Sequence, residues 1–387
     1  MTDESSPIRL GVIGTGGMAT VHMKHARELD GVDISAVCDI SPKTLKKATD
    51  SNNCPGFDNH TELLSADVCD AVLIATPHYA HTTIGIDALK AGKHVLVEKP
   101  ISVHKADCER LIAAHTDKNL VFAAIFNQRT DPYYIKLKQM IDAGELGDLV
   151  RVSWIITNWF RTDAYYAGGG WRATWEGEGG GVLLNQCPHQ LDLMQWLFGM
   201  PTKVAGFCGI GKRHDIEVED QVTAYLEYEN GATGTFITST GEAPGTNRLE
   251  VAGERGRVII EDDRFTFIQN ATPADEFLRA SQASFARPET QTINIPIDNH
   301  GGQHKQVLQN FIDAIQHNAD LIAPAREGIR SVELGNAMLY ASLTGKPVDM
   351  PLDAQAYEKK LMQLIAESTH VKNASTTGPR DLSDSFN

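Results

Sequence analysis

Residues 10–19, Leu-Gly-Val-Ile-Gly-Thr-Gly-Gly-Met-Ala, restrict this chain more than any other stretch of it. A short apolar run stops at Gly14, a second glycine follows at 16, and a helical pattern begins at Met18. In the order strand, Gly-x-Gly-x-x-Ala, helix, each small residue has a task. Gly14 permits the tight turn, Gly16 lets the backbone approach a pyrophosphate, and Ala19 allows close packing of helix on strand. The start of the helix, at Gly17 and Met18, then faces the phosphates. Such a unit belongs in a parallel sheet covered by helices, so the fold class is α/β with a doubly wound parallel sheet at the N-terminus.

The next hundred residues keep that grammar. Residues 34–38, 71–75, 94–97 and 120–126 read as further strands, and 18–29, 43–49, 82–91 and 105–115 as helices. Ligands bind at the C-terminal ends of such strands, which selects the next candidates. Asp39 ends the second strand, where an acid accepts hydrogen bonds from the adenosine ribose and repels a 2'-phosphate. NAD is therefore preferred over NADP, with Lys43 close enough to soften the repulsion. Thr76 and Pro77, with His78 and His81 behind them, end a later strand, and Glu98-Lys99-Pro100 ends the one after it. A lysine there is placed to handle a proton beside a nicotinamide.

After Asn127 the pattern changes. Residues 132–142 read as a helix, 149–156 as a strand and 182–198 as a second helix, with Pro188 capable of delaying its start to Cys187 or Pro188. Asn230-Gly231 joins two strands as a hairpin, residues 248–252 and 258–261 extend an antiparallel pattern, and 304–317 and 328–343 read as helices. The expected division is a nucleotide-binding domain over residues 1–126, an α+β domain over 127–369 and a polar flexible tail over 370–387.

Composition narrows the function. The chain has 387 residues, enough for two domains, and 50 acidic against 35 basic residues give a formal charge of −15. That balance argues against nucleic acid or an anionic membrane as the main partner. No apolar run approaches the roughly 20 residues of a membrane span, and the polar, acidic first seven residues are not a signal peptide. Six scattered cysteines without C-x-x-C spacing suit reduced thiols in the cytoplasm, and no cluster has metal-ligand spacing.

Two stretches of the second half carry chemistry. In Gly179-Gly-Gly-Val-Leu-Leu-Asn185-Gln186-Cys187-Pro188-His189-Gln-Leu-Asp192, a helix places Asn185, His189 and Asp192 on one face. A start near Pro188 instead leaves Asn185 and Gln186 in the preceding turn, free to reach a ligand, with Asp192 holding the His189 ring or a cap. Residues 154–175 hold four of the five tryptophans with Arg161, Tyr165, Trp171 and Arg172. Sugar rings stack on such aromatic faces, and their hydroxyls suit Arg, Asn and Gln. Trp154, inside a strand pattern, is assigned to the core, while Gly168-Gly169-Gly170 suggests a mobile loop carrying Trp171 and Arg172.

Together the segments Gly14–Ala19, ATPHYAH, EKP, FNQR, AGELGD and GGGVLLNQCPHQLD resemble the glucose–fructose oxidoreductase/inositol 2-dehydrogenase/MocA (Gfo/Idh/MocA) family. The resemblance implies a Rossmann domain, a C-terminal α+β domain with a large, mostly antiparallel open sheet, and a homodimer or homotetramer formed through that sheet. It implies NAD(P)-linked oxidation of a sugar or cyclitol, with Lys99 and His189 catalytic. Asn127, in FNQR, joins Thr76, Pro77, His81, Glu98 and Lys99 around the cofactor. Arg161, Tyr165, Trp171, Arg172, Asn185, Gln186 and His189 surround the substrate. The family often has Asp four residues before the histidine. Asn185 stands there instead, and an amide positions a hydroxyl but takes no proton. The Asn-Gln-Cys-Pro-His version resembles a sub-branch acting on glycosides or anhydrosugars. A glycosidase or lyase that recycles NAD through transient sugar oxidation would use the same residues, and a non-catalytic NAD sensor is the third alternative.

Overall fold

A computed structural model describes residues 6–168 and 170–371. The tail expected from residue 370 lies, beyond Val371, outside the described residues, as do residues 1–5 and Gly169 of the glycine loop.

Strands β1 (Ile8–Ile13), β2 (Val32–Cys38), β3 (Gly56–Phe57), β4 (Ala71–Ile74), β5 (His94–Val97) and β6 (Phe122–Ala124) form one sheet in the order β3-β2-β1-β4-β5-β6. Every pair is parallel. Helices α1 (Gly17–Ala26), α2 (Pro42–Asn52), α3 (His60–Ser65), α4 (His78–Lys90) and α5 (Lys105–Ala114) make the crossovers. β4 is Ala-Val-Leu-Ile, buried throughout, as a strand covered on both faces must be. The strand order reverses between β1 and β4, and the C-terminal ends of these strands open a crevice there.

A 3₁₀ turn over Asn127–Thr130 leads into α6 (Pro132–Asp142), capped by Asp131, whose carboxylate accepts the Tyr133 N–H at 3.0 Å. There follow β7 (Leu149–Ile156), α7 (Asp163–Ala167), α8 (Pro188–Phe198), β8 (Lys203–Ile210), β9 (Glu219–Glu227), β10 (Thr233–Ser239), β11 (Asn247–Gly253), β12 (Gly256–Glu261) and β13 (Arg264–Asn270). The chain closes through α9 (Ala274–Ala280), β14 (Thr290–Ile295), α10 (Gln303–His317), α11 (Gly328–Thr344), β15 (Val348–Asp349) and α12 (Ala354–Glu367). Nine strands make the second sheet, ordered β14-β13-β12-β11-β7-β10-β9-β8-β15. It is antiparallel except for the β7–β10 pair. Asn230-Gly231 turns β9 into β10, with Gly231 at φ +84°.

One face of this sheet is dry. Trp154, Phe236 and Leu249 pack there in a single cluster with Leu191 and Met194 of α8 and Met338 of α11. Helix α10 does something else. Its Val307, Leu308, Phe311 and Ile312 pack with Leu10 and Val12 of β1 and Met23 of α1, so a late segment completes the first sheet's core. No described helix is long and apolar enough to cross a membrane.

Several boundaries differ from the sequence expectation, among them α1, which ends at Ala26 where 29 was expected, and α4, which begins at His78 where 82 was expected. The strand expected over 120–126 is only Phe122–Ala124. The helix expected over 182–198 begins at Pro188, the later start that the sequence allowed, with the proline in its first turn. The turn before it is anchored by Glu219, which takes the N–H groups of Gly181, Val182 and Leu183.

Candidate active site

The glycine loop is shaped by close contact. Gly14 has φ +81°, and a Cβ there would lie 2.7 Å from Thr76 Cγ2 and 2.8 Å from the Ala75 carbonyl carbon, so only glycine fits. Gly16 precedes α1, and a Cβ there would meet nothing within 4 Å, leaving the helix start open. Gly17 and Met18 form its first turn, and Ala19 is fully buried beneath it. Asp39 is tied to this loop. One carboxylate oxygen accepts the Thr15 N–H at 2.8 Å and its hydroxyl at 3.0 Å, and the other accepts the Ser41 N–H at 2.8 Å.

Across the crevice, Thr76 lies two residues past β4 with its Oγ1 buried and unpartnered among the described residues, and Pro77 lies exposed before α4. His81 is buried, with its ring nitrogens 2.8 Å from the Thr76 carbonyl oxygen and 2.8 Å from that of Pro100. The ring thus ties two strand-end loops together. Asn127 donates from Nδ2 to Gln303 Oε1 at 2.6 Å, and its Oδ1 is buried without a donor. Glu98 bonds His22 of α1 at 2.6 Å and accepts the Lys99 N–H at 2.9 Å. Burial pushes the Glu98 carboxyl up, but the His22 hydrogen bond and neighbouring positive charge outweigh it and hold the group well below the usual range. His22 was not anticipated from the sequence, since it sits one turn past the glycines with no motif of its own. The open helix start, the Gly14 cradle, and the unpartnered Thr76 and Asn127 oxygens fit a dinucleotide.

Lys99 reaches from β5 to the second half of the chain, donating from Nζ to the Asn185 carbonyl at 2.8 Å. Burial lowers its ammonium pKa below the ordinary lysine value; Glu98 opposes this and Arg172 adds to it. His189, in the first turn of α8, is 9 % exposed and lies edge-on to Phe126 at 6.2 Å. Its Nδ1 is buried without a partner among the described residues, and burial, then Lys99, hold the ring's pKa well below the usual histidine value. Asp192 does not hold this ring. Its two oxygens take the buried Arg129 guanidinium at 2.7 Å each, which an unpaired buried cation requires.

Asn185 lies in the turn before α8, not on a helical face with His189. The Tyr165 hydroxyl donates to Asn185 Oδ1 at 3.1 Å and accepts from Arg172 Nη1 at 3.0 Å and Gln186 Nε2 at 3.2 Å. The Asn185 amide donates to Glu178, a residue the sequence did not single out. Glu178 is 2 % exposed and also accepts the Ala173 N–H at 2.6 Å. Its signal was present in Glu176-Gly-Glu178-Gly-Gly-Gly181, an acid inside the glycine run. Arg172 stacks on Trp171 at 4.5 Å and Tyr165 at 5.1 Å, and Arg161 on Tyr165 at 5.2 Å and Trp159 at 5.7 Å. Trp171 also meets His78 edge-on at 5.2 Å. His78 is buried with Nδ1 unpartnered, and burial with neighbouring His81 and Lys99 holds it far below the usual histidine pKa. Cys187 bonds the Thr238 hydroxyl at 3.0 Å, and burial pushes its thiol up to about 12, so it is no nucleophile.

A doubly wound dinucleotide domain, with a strand-end lysine bonded to an α+β domain that carries a buried histidine, defines a two-domain NAD-binding oxidoreductase. The chain belongs to the Gfo/Idh/MocA family. Residues 8–126 match "Oxidoreductase family, NAD-binding Rossmann fold" and residues 134–259 match "GFO/IDH/MocA C-terminal domain". It is 26% identical to myo-inositol 2-dehydrogenase of Thermotoga maritima over 67% of this chain and 77% of that one. It is 24% identical to levoglucosan dehydrogenase of Pseudarthrobacter phenanthrenivorans over 76% of this chain and 85% of that one. Among solved structures, WlbA dehydrogenase of Chromobacterium violaceum with NADH and UDP-GlcNAcA superposes with a TM-score of 0.78. It is 26% identical, covering 90% of this chain and 98% of that one.

Proposed function

We propose that the protein is an NAD-dependent dehydrogenase that oxidises a secondary hydroxyl of a sugar, glycoside, anhydrosugar or cyclitol, or reduces the matching ketone. The observation that carries this is the junction of Lys99, the buried His189 with its unpartnered Nδ1, and the Asn185–Tyr165–Gln186 network beside the nucleotide crevice. The names of the inositol and levoglucosan dehydrogenases support the substrate class.

Bound NAD supplies the hydride acceptor. His189, uncharged, takes the hydroxyl proton, and Lys99 donates a hydrogen bond to the same oxygen and stabilises its developing negative charge. Asn185 and Gln186 orient neighbouring hydroxyls, the buried Gln186 Oε1 being an acceptor without a donor among the described residues. Trp171 offers a ring face to the C–H side of the sugar. Asp39 favours NAD over NADP by repelling a 2'-phosphate. A second copy of the chain covers the open face of the large sheet, giving a homodimer or homotetramer.

The direct test is a panel of sugars, glycosides and inositols with NAD and NADP, followed at the NADH absorbance band. Lys99→Ala should lower kcat by at least about 10²-fold while still binding NADH; near-normal turnover would sink the assignment. Cleavage of an aryl glycoside with no net NADH would point instead to the lyase alternative. Asp39→Asn should weaken NADH binding and narrow its advantage over NADPH, read by fluorescence titration.

A further inference from the structure

The substrate end of the crevice holds more positive charge than neutral hydroxyls require. Lys99 and Arg172 each have acidic company: Glu98 and Glu178 act on Lys99, and Glu178 lies 3.9 Å from Arg172. Arg161 has none within 4.0 Å among the described residues. The one hydrogen bond its guanidinium makes there runs from Nη1 to the Phe160 carbonyl at 2.9 Å, and its Nε is buried without an acceptor. The indole Nε1 of Trp159, on whose ring it stacks, is a second buried donor without an acceptor. Each of these buried donors is a polar group withdrawn from water with no acceptor among the described residues. Arg161 is not left without an acidic neighbour there for want of carboxylates in a chain with 50 acidic and 35 basic residues.

Arg161 is also built in. Its N–H donates to the Thr240 carbonyl at 2.8 Å, and its own carbonyl lies 2.9 Å from His214 Nε2, while Nδ1 of that ring faces Asp220 at 3.1 Å. Its guanidinium carbon lies 5.2 Å from the centre of the Tyr165 ring, whose hydroxyl bonds Asn185 and Gln186, so the cation stands next to the residues proposed to orient substrate hydroxyls. A planar, oriented guanidinium fork matches a carboxylate in two-point contact.

We propose that the substrate is anionic, a uronic-acid type of sugar whose carboxylate is received by Arg161 while Lys99 and His189 hold the reacting hydroxyl. This rests on the dehydrogenase function proposed above and narrows its substrate class.

The test is steady-state kinetics on matched pairs that differ only at the terminal carbon: glucose and glucuronate, galactose and galacturonate, mannose and mannuronate, and the N-acetylglucosamine pair. In at least one pair the acid should exceed the neutral sugar in kcat/KM by about tenfold or more, the worth of a charge-assisted hydrogen bond. Arg161→Met should bring that ratio to about one, mainly through KM, and Arg161→Lys should retain part of it. An NADH fluorescence titration confirms that each variant is folded. Preference for the neutral member in every pair, or an acid preference that survives Arg161→Met, overturns the proposal. Turnover of neutral sugars or cyclitols with no acid used also overturns it and leaves the dehydrogenase function standing. Failure of every compound removes that function, and this inference with it.

Discussion

Position 185 carries an amide where its family often carries a carboxylate, and Glu178 supplies a carboxylate seven residues earlier. Glu178 is fixed by the Asn185 amide and by the N–H of Ala173, which holds φ +57°, a conformation costly for any residue but glycine. Its charge raises the Lys99 pKa while Arg172 lowers it. Glu178→Gln removes the raising contribution, so the Lys99 ammonium loses its proton at lower pH. If the ammonium polarises the substrate oxygen, activity is lost as pH rises through that pKa. The alkaline limb of kcat/KM should therefore move to lower pH in the variant, with kcat reduced about tenfold or more. A loss of activity with the limb unmoved would leave Glu178 only a structural role. Lys99 and His189 were legible because each closes a local pattern: a buried strand, and a helix start marked by Pro188. The only signal of Glu178 was an acid inside a glycine run, because its role arises through a loop closure that brings Ala173 and Asn185 to it from either side.

Among the elements, the turn before α8 shows how a distant residue decides local structure. Val182-Leu183-Leu184 reads as helix in any short window, yet α8 begins only at Pro188, and Glu219 at the start of β9 anchors the intervening turn through its donors. Glu219 Oε1 accepts the N–H groups of Gly181 at 2.8 Å and Leu183 at 3.1 Å, and its backbone oxygen accepts that of Val182 at 2.9 Å. A Cβ on Gly181 would collide with that oxygen. The other carboxylate oxygen is buried without a partner among the described residues, and burial pushes the group up to about 7. A carboxyl whose pKa rises on folding binds protons more tightly in the folded state. Stability therefore falls as pH rises from about 4.5 towards 7, by up to roughly 3 kcal/mol. Glu219→Gln keeps the accepting oxygen and cannot ionise. Its melting temperature should gain on the parent between pH 5 and pH 8; a constant difference would show that Glu219 does not titrate in that window. The parallel sheet was readable for the opposite reason, since strands buried on both faces are continuous apolar runs. Strands β13 and β14 were not read. Thr290–Ile295 alternates only weakly at an exposed sheet edge, and composition does not separate it from a loop.

At the scale of the molecule, the large sheet is two-faced in a way its register makes explicit. Across β8, β9, β10, β7 and β11 the row Gly206, Ala224, Phe236, Trp154, Leu249 runs along the face packed by α8 and α11. The neighbouring row Phe207, Thr223, Ile237, Ile155 faces the other way, where Phe207 is 70% and Tyr225 40% exposed. Exposed apolar side chains aligned on an open sheet are the surface that the proposed second copy would cover. A second copy of the chain presents the same row and suits two-fold pairing, in which one patch serves both partners. Two glutamates there would face two more across the axis, and like charges brought together and desolvated are strongly unfavourable. The double variant Phe207→Glu, Tyr225→Glu should therefore sediment at monomer mass with an unchanged circular-dichroism spectrum, while the parent sediments as a dimer or tetramer. Neither side chain belongs to the buried cluster, so the fold loses no core contact. A parent that is already monomeric at micromolar concentration, or a variant that stays assembled, would show that this face is not the interface.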